Sequence, residues 1–188
     1  MLDKTTKDLY SFFSHNIRTF NAEIVTTIEC LKVGFIDKDS EEFDTVYEAS
    51  YLLDLYDSCL SIILDYLDGA KIEKKSEEVD IVRITEEFLS SIKGYLTASG
   101  LNIVKNFNDE IWYTDSYIFK NIYKIVLYEF IKTASKGINV NIAGAIEIEA
   151  DEIIGALPDI FKTFQEIFDK IGFKLKFDNK KIVLEYLS

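Results

Sequence analysis

The chain contains a single histidine, His15. It lies in a stretch where Leu9, Phe13, Ile17, Phe20, Ile24, Ile28 and Leu31 recur at steps of four or three, which marks one face of a continuous helix. At about 100° per residue, His15 falls almost opposite the seam centred on Phe13, Ile17 and Phe20, so its imidazole is expected to point to solvent. Its neighbours on that outward face are Ser11, Arg18, Thr19 and Ala22. They are short residues plus one cation, which leaves the ring approachable by another protein and makes Ser11, Arg18 and Ala22 the candidate docking residues. An exposed imidazole keeps a neutral fraction near neutral pH, and in that form it is a nucleophile. The two cysteines, Cys30 and Cys59, sit in helical stretches without Cys-x-x-Cys or Cys/His spacing, so neither a disulfide framework nor a zinc site is signalled. A reduced, cytoplasmic setting is the expectation. An isolated surface histidine in an arbitrary sequence is more often incidental, so the surrounding elements and local sequence must decide.

The helix that carries His15 runs to Gly34, in the usual stop position, and Asp39 with Glu42 makes a capping-box-like start for a second helix. That helix carries Val46, Ala49, Leu53, Tyr56, Leu60, Ile63 and Leu67 and stops at Gly69. Two long helices with a short turn form an antiparallel hairpin over residues 1–70. Each helix offers a stripe and has one partner, so a C2 homodimer completing a four-helix bundle is the expected assembly. The charged run Lys71 to Glu78 reads as a linker. From 79 to 188 the pattern predicts an α+β sandwich of helices on one sheet. Strands are expected at Val79–Arg83, Leu101–Phe107, Ile111–Tyr113, Ile138–Ile142, Ala145–Ala150, Phe173–Phe177 and Ile182–Tyr186, the last two turned by Asp178-Asn179. Helices are expected at Thr85–Thr97, Ser116–Lys136 and Pro158–Ile171, with proline in the first turn of the third.

Composition narrows the partners. Thirty-three acids against 21 bases give a net charge of −12, which repels phosphate backbones and argues against nucleic acid or an anionic membrane. Charges interrupt every apolar run short of the ~20 residues that span a bilayer, and the polar start implies no cleaved leader. Fourteen phenylalanines and eleven tyrosines are expected in the core rather than in a base-stacking surface. A protein partner is expected, and no metal or cofactor is signalled.

The segment Phe12-Phe13-Ser14-His15-Asn16-Ile17-Arg18-Thr19, followed by Phe20-Asn21-Ala22-Glu23-Ile24, resembles the phosphoacceptor box of two-component histidine kinases. In that family Ser-His is followed by an acid, an aliphatic residue, Arg and Thr, on the first helix of a dimeric hairpin. Asn16 stands where the family usually has Glu or Asp, and Phe20 where many members have proline; the missing acid argues against autokinase activity. The resemblance implies that His15 is a phosphoacceptor, with Arg18 as an auxiliary cation and Thr19 at the position that orients a hydrolytic water in bifunctional kinases. The second half is similar to the ATP-binding domain that follows this hairpin. Val79-Asp80-Ile81, Gly100-Leu101-Asn102-Ile103, Trp112-Tyr113-Thr114-Asp115 and Leu127 to Lys136 before the strand Ile138–Ile142 occur in the family's order.

The nucleotide-binding features that the resemblance calls for are degraded. Glu129 keeps an acid at the first metal-site position, but Thr133 stands where the magnesium-binding Asn belongs. Asp151-Glu152-Ile153-Ile154-Gly155 keeps the ends of an Asp-x-Gly-x-Gly loop without its middle glycine, and Ala156-Leu157 leads directly to Pro158, with no residues for a lid or a second glycine-rich loop. The pattern resembles the dimeric histidine phosphotransferases of phosphorelays, of the sporulation and cell-cycle type. This implies transfer of a phosphoryl group between aspartates of response-regulator receiver domains through His15, without ATP and with Mg²⁺ supplied by the receiver. A sensor kinase is a further candidate partner. The alternatives are a non-catalytic dimeric adaptor or inhibitor docking on a kinase or receiver, and a divergent kinase that still uses ATP.

Overall fold

Lys4–Lys32 forms α1 and Glu41–Leu67 forms α2; the computed structural model describes residues 4–37, 41–72 and 75–187. Gly34 ends α1 with φ 75°, a conformation that a side chain would strain. The Gly34 and Phe35 N–H groups there donate to the carbonyls of Leu31 and Cys30, satisfying the helix end. The capping box expected ahead of α2 rests on Asp39, which lies outside the described residues. On α1 the buried apolar residues are Leu9, Phe13 and Phe20.

The buried arc of α2 is wider than the single seam expected. Ala49, Tyr56 and Ile63 of that seam are buried, and so are Leu52, Leu55, Cys59 and Ile62. The reason is a second partner: α2 packs on α1 and also on a helix of the C-terminal half, described below. Part of the apolar surface that the sequence assigned to a second copy is therefore covered within the chain. Leu53 and Leu60 are half-buried, while Leu64 and Leu67 are exposed.

In the C-terminal half, β1 (Glu77–Asp80) pairs antiparallel with β3 (Ile111–Thr114). A second sheet has the order β2 (Asn102–Phe107), β4 (Gly137–Ile142), β5 (Ala145–Ala150), β7 (Lys181–Tyr186), β6 (Phe173–Phe177), with β2 parallel to β4 and the other pairs antiparallel. Alternation fixes its faces: Ile138, Val140, Ile146, Ile148, Ile182 and Leu184 are buried. The opposite face is charged, with Lys176 pairing Glu185 at 2.5 Å and Lys181 pairing Glu147 at 2.9 Å across strands. The helices are α3 (Ile81–Ser91), α4 (Lys93–Ser99), α5 (Ser116–Thr133) and α6 (Phe161–Lys170). The one tryptophan, Trp112, is buried on β3 and stacks on Tyr186 of β7, with ring centroids 5.7 Å apart. Among the described residues no helix is long and apolar enough to cross a membrane.

Several boundaries differ from expectation for local reasons. The strand expected over Val79–Arg83 stops at Asp80, whose carboxylate accepts the Arg83 N–H at 2.9 Å and starts α3 at Ile81. The single helix expected over Thr85–Thr97 is two, broken at Ile92. The helix expected to reach Lys136 ends at Thr133, because Ala134 turns extended and bridges to Ile153. Pro158 is not in a helical turn; its carbonyl accepts the Phe161 N–H in a turn that precedes α6.

The hairpin and the C-terminal half are joined by more than the charged run expected as a linker. Lys75 pairs with the buried Asp115 at 2.7 Å while Asp115 caps α5 through the Ile118 N–H, and Glu77 accepts the Ser116 N–H at 3.1 Å. Tyr56 of α2 is fully buried against Phe12, Phe13 and Phe20 of α1 and Tyr128 of α5. Lys124 of α5 lies over the Tyr51 ring, and the Tyr66 hydroxyl donates to Glu166 of α6 at 2.9 Å. Glu48 of α2 accepts the Tyr95 N–H with both oxygens, at 3.1 and 3.2 Å, capping α4 from another element.

The carboxylate lies close against a glycine: a Cβ at Gly94 would lie 2.6 Å from the Glu48 Oε2, so the end of the Glu48 side chain would have to shift. Glu48→Ala is expected to cost about 1 kcal/mol, the usual worth of a helix cap, and Gly94→Ala less, since the carboxylate can move and alanine favours the helix. The double variant should cost little more than the larger single change, since both act through one contact. Urea unfolding of the three variants checks this; full additivity would contradict it.

Candidate functional site

His15 is exposed on α1, and so are Ser11, Arg18, Thr19 and Ala22. The outward face expected from helical periodicity is thus brought together. The Thr19 hydroxyl donates to the His15 carbonyl at 3.0 Å, the usual back-bond of a helical threonine. Its proton is therefore directed along the helix, and its lone pairs remain open as acceptors. Among the described residues, Arg18 makes no ion pair, so its cation is not neutralised on its own helix. One turn beyond His15, Thr19, Ala22, Glu23, Thr26 and Thr27 of α1 with Thr45 of α2 line an open cavity of about 460 Å³.

The next side of α1 is closed. Asn16 is only 7% exposed. Its Nδ2 donates to the Phe12 carbonyl at 2.9 Å, and its Oδ1 accepts from the Lys132 Nζ of α5 at 3.1 Å. A lysine can only donate, which fixes the amide orientation. Lys132 also donates to the Glu129 Oε1 at 2.9 Å, and the same oxygen accepts the Tyr56 hydroxyl of α2. Glu129 is 4% exposed. Burial, and then the adjacent Glu129 charge, pushes the Tyr56 hydroxyl well above its ordinary pKa, so Tyr56 stays a proton donor. The residue after the histidine is thus neither an acid nor free to reach the imidazole.

The residues that the resemblance relates to a nucleotide site are occupied within the fold. Glu129 is held as described. The Thr133 hydroxyl donates to the Phe130 carbonyl at 2.7 Å, and the Thr133 carbonyl accepts the Ile154 N–H at 2.7 Å. The Ser135 N–H reaches the Glu152 carbonyl, so residues 152–154 lie against the end of α5. A Cβ at Gly155 would lie in ordinary contact with Thr133, at 3.7 Å. Asp151 is exposed at the end of β5, where a side chain on Gly137 would collide with its carboxylate. Sequence reasoning missed Lys132 and the part played by Tyr56. The signal for Lys132 was its spacing of three from Glu129 on one helix, but its link to Asn16 spans 116 positions and has no local signature.

By sequence, no family model and no curated protein matches the chain. Solved structures do. A histidine kinase of Acinetobacter baumannii, AdeS, is 13% identical, with a TM-score of 0.57 over 92% of this chain and 97% of that one. The cytoplasmic segment of histidine kinase QseC is 11% identical, with a TM-score of 0.54 over 70% of this chain and 93% of that one. A helical hairpin joined to this α/β sandwich is therefore a histidine-kinase-like fold.

Proposed function

We propose that the protein is a histidine-containing phosphotransferase that relays a phosphoryl group between aspartates of response-regulator receiver domains through His15, without ATP. The observation that carries this reading is the placement of two groups: His15 is presented to solvent beside Arg18, which makes no ion pair among the described residues, while Glu129 of α5, at the position the resemblance relates to a metal site, is buried in a contact with the hairpin. In the forward step an imidazole nitrogen lone pair attacks the phosphorus of the receiver's aspartyl phosphate. The N–P bond forms as the acyl-phosphate P–O bond breaks, and the aspartate leaves as a carboxylate. The second receiver's aspartate reverses the step. The receiver supplies Mg²⁺ and most of the charge stabilisation, so the transferase needs an accessible imidazole held in line and a docking face. Arg18 is an auxiliary cation for docking and for the transferring charge, Ser11 and Ala22 border the docking face, and Thr19 lies one turn away.

The active form in this reading is a homodimer. Tyr10, Ile17, Leu60, Leu64 and Leu67 border an apolar groove of about 590 Å³ between α1 and α2, on the side of the hairpin away from His15. A second copy completing a four-helix bundle covers it and leaves the histidine face open.

Three measurements test the proposal. Given a receiver carrying an aspartyl phosphate, the wild type is expected to gain an acid-labile, base-stable phosphoryl group and to pass it to a second receiver. His15→Ala should abolish both steps with folding intact, and Arg18→Ala should slow transfer about tenfold, or ~1.4 kcal/mol in the barrier. A His15→Ala protein that still restores function in a deletion strain would favour the adaptor reading. Calorimetric titration with Mg-ATP should give no binding; micromolar affinity would favour a divergent kinase instead. Sedimentation should give twice the monomer mass, and Leu64→Glu, a position 53% exposed in the single chain, should yield a folded monomer.

A further inference from the structure

The contact between Asn16, Lys132, Glu129 and Tyr56 joins all three long helices. Tyr56 is on α2, Glu129 and Lys132 are on α5, and Asn16 is on α1. The chain is directional. Tyr56 and Lys132 both donate to one Glu129 oxygen, and Lys132 then donates onward to Asn16. Lys132 is held from a further side, with its ammonium 5.4 Å from the centroid of the Tyr128 ring.

Asn16 and His15 are consecutive on one helix, so any rotation of α1 that turns the imidazole also pulls Asn16 off Lys132. The Asn16 amide is almost fully enclosed and its other end is tied to Phe12, so on the Asn16 side the bond is shielded from water, while the Lys132 side chain stays 32% exposed.

We infer that Lys132 is a positioning residue for His15: by bridging Asn16 of α1 to Glu129 of α5, with Tyr56 of α2 completing the contact, it holds hairpin and sandwich as one body and sets the rotation of α1. What His15 does in this position rests on the phosphotransfer reading; the lock itself does not. The sandwich then acts through α5 as the part that fixes the nucleophile's direction. Lys132 does not touch the transferring group.

The test compares Lys132→Met, which keeps the stem and removes the donors, with Lys132→Arg, which restores them. Three readouts are taken on the full chain: amide hydrogen exchange along α1, labelling of His15 by potassium phosphoramidate, and transfer from an acetyl-phosphate-charged receiver. Lys132→Met is expected to speed exchange around Asn16 about tenfold relative to the sheet and to lower kcat of transfer about tenfold with KM within about twofold. Labelling by the small phosphodonor, which needs no docking geometry, should stay within about twofold, and Lys132→Arg should recover the transfer rate. If Lys132→Met does not fold, Asn16→Ala is read in its place, since it cuts only the final link and leaves Glu129 paired. Unchanged exchange and transfer would overturn the inference, as would a loss of labelling equal to the loss of transfer. If the wild type is labelled by phosphoramidate but exchanges with no receiver, the phosphotransfer reading fails, and the exchange data alone then decide whether the lock exists.

Discussion

One carboxylate governs the arrangement of the two halves. Glu129 sits where α1, α2 and α5 meet, 4% exposed, and a carboxyl group in that position needs hydrogen-bond donors brought to it by the fold. The donors come from both halves of the protein: Tyr56 from the hairpin and Lys132 from the same helix as the acid. Tyr56 is fully buried, so losing its hydroxyl leaves the carboxylate short of a donor in a closed site, at a cost of about 1–3 kcal/mol. The Lys132 side chain is 32% exposed, so its pair with the acid is screened by solvent and contributes less. The aromatic packing of Phe12, Phe20, Tyr56 and Tyr128 around it accepts a broader range of geometries than a hydrogen bond does, so the carboxylate narrows the relative placement of the two halves.

The three sides of α1 follow from that placement. One carries Leu9, Phe13 and Phe20 into the core. A second turns Asn16 onto Lys132. The third leaves His15, Ser11, Arg18, Thr19 and Ala22 in solvent. A helix 29 residues long can keep these roles separate because its faces are fixed along its length once one residue is pinned. The hydroxyl of Thr19, bonded back to the His15 carbonyl, adds a local tie on the same turn.

What the sequence disclosed and what it hid divide along the range of the interactions. The bounds of β5 and β6, the stop at Gly34 and the exposed face around His15 were legible because alternation, a glycine and helical periodicity each act within a few residues. The break at Ile92 was not, because the group that caps α4 is Glu48, 47 positions from its partner Tyr95. The charged run Lys71 to Glu78 read as a linker, and its described residues are mostly exposed, yet Lys75 and Glu77 also complete the N-terminus of α5, which local composition cannot reveal. Asn16 looked like an acid lost from a phosphoacceptor box. Its partner lies 116 residues away, and only the fold turns an apparent omission into a contact.

The packing of Trp112 has an optical consequence. The only indole in the protein is buried in the sandwich, on β3, stacked on Tyr186 of the closing strand and edge-on to Phe119 of α5. Indole emission excited beyond the tyrosine band therefore originates wholly in the C-terminal half and shifts when β3 and β7 part. The hairpin bearing His15 carries no such chromophore, so emission follows the sheet alone, while ellipticity reports the helices of both halves, α1 and α2 supplying little more than half of it. Ellipticity lost before the emission shifts is therefore helix melting ahead of the sheet.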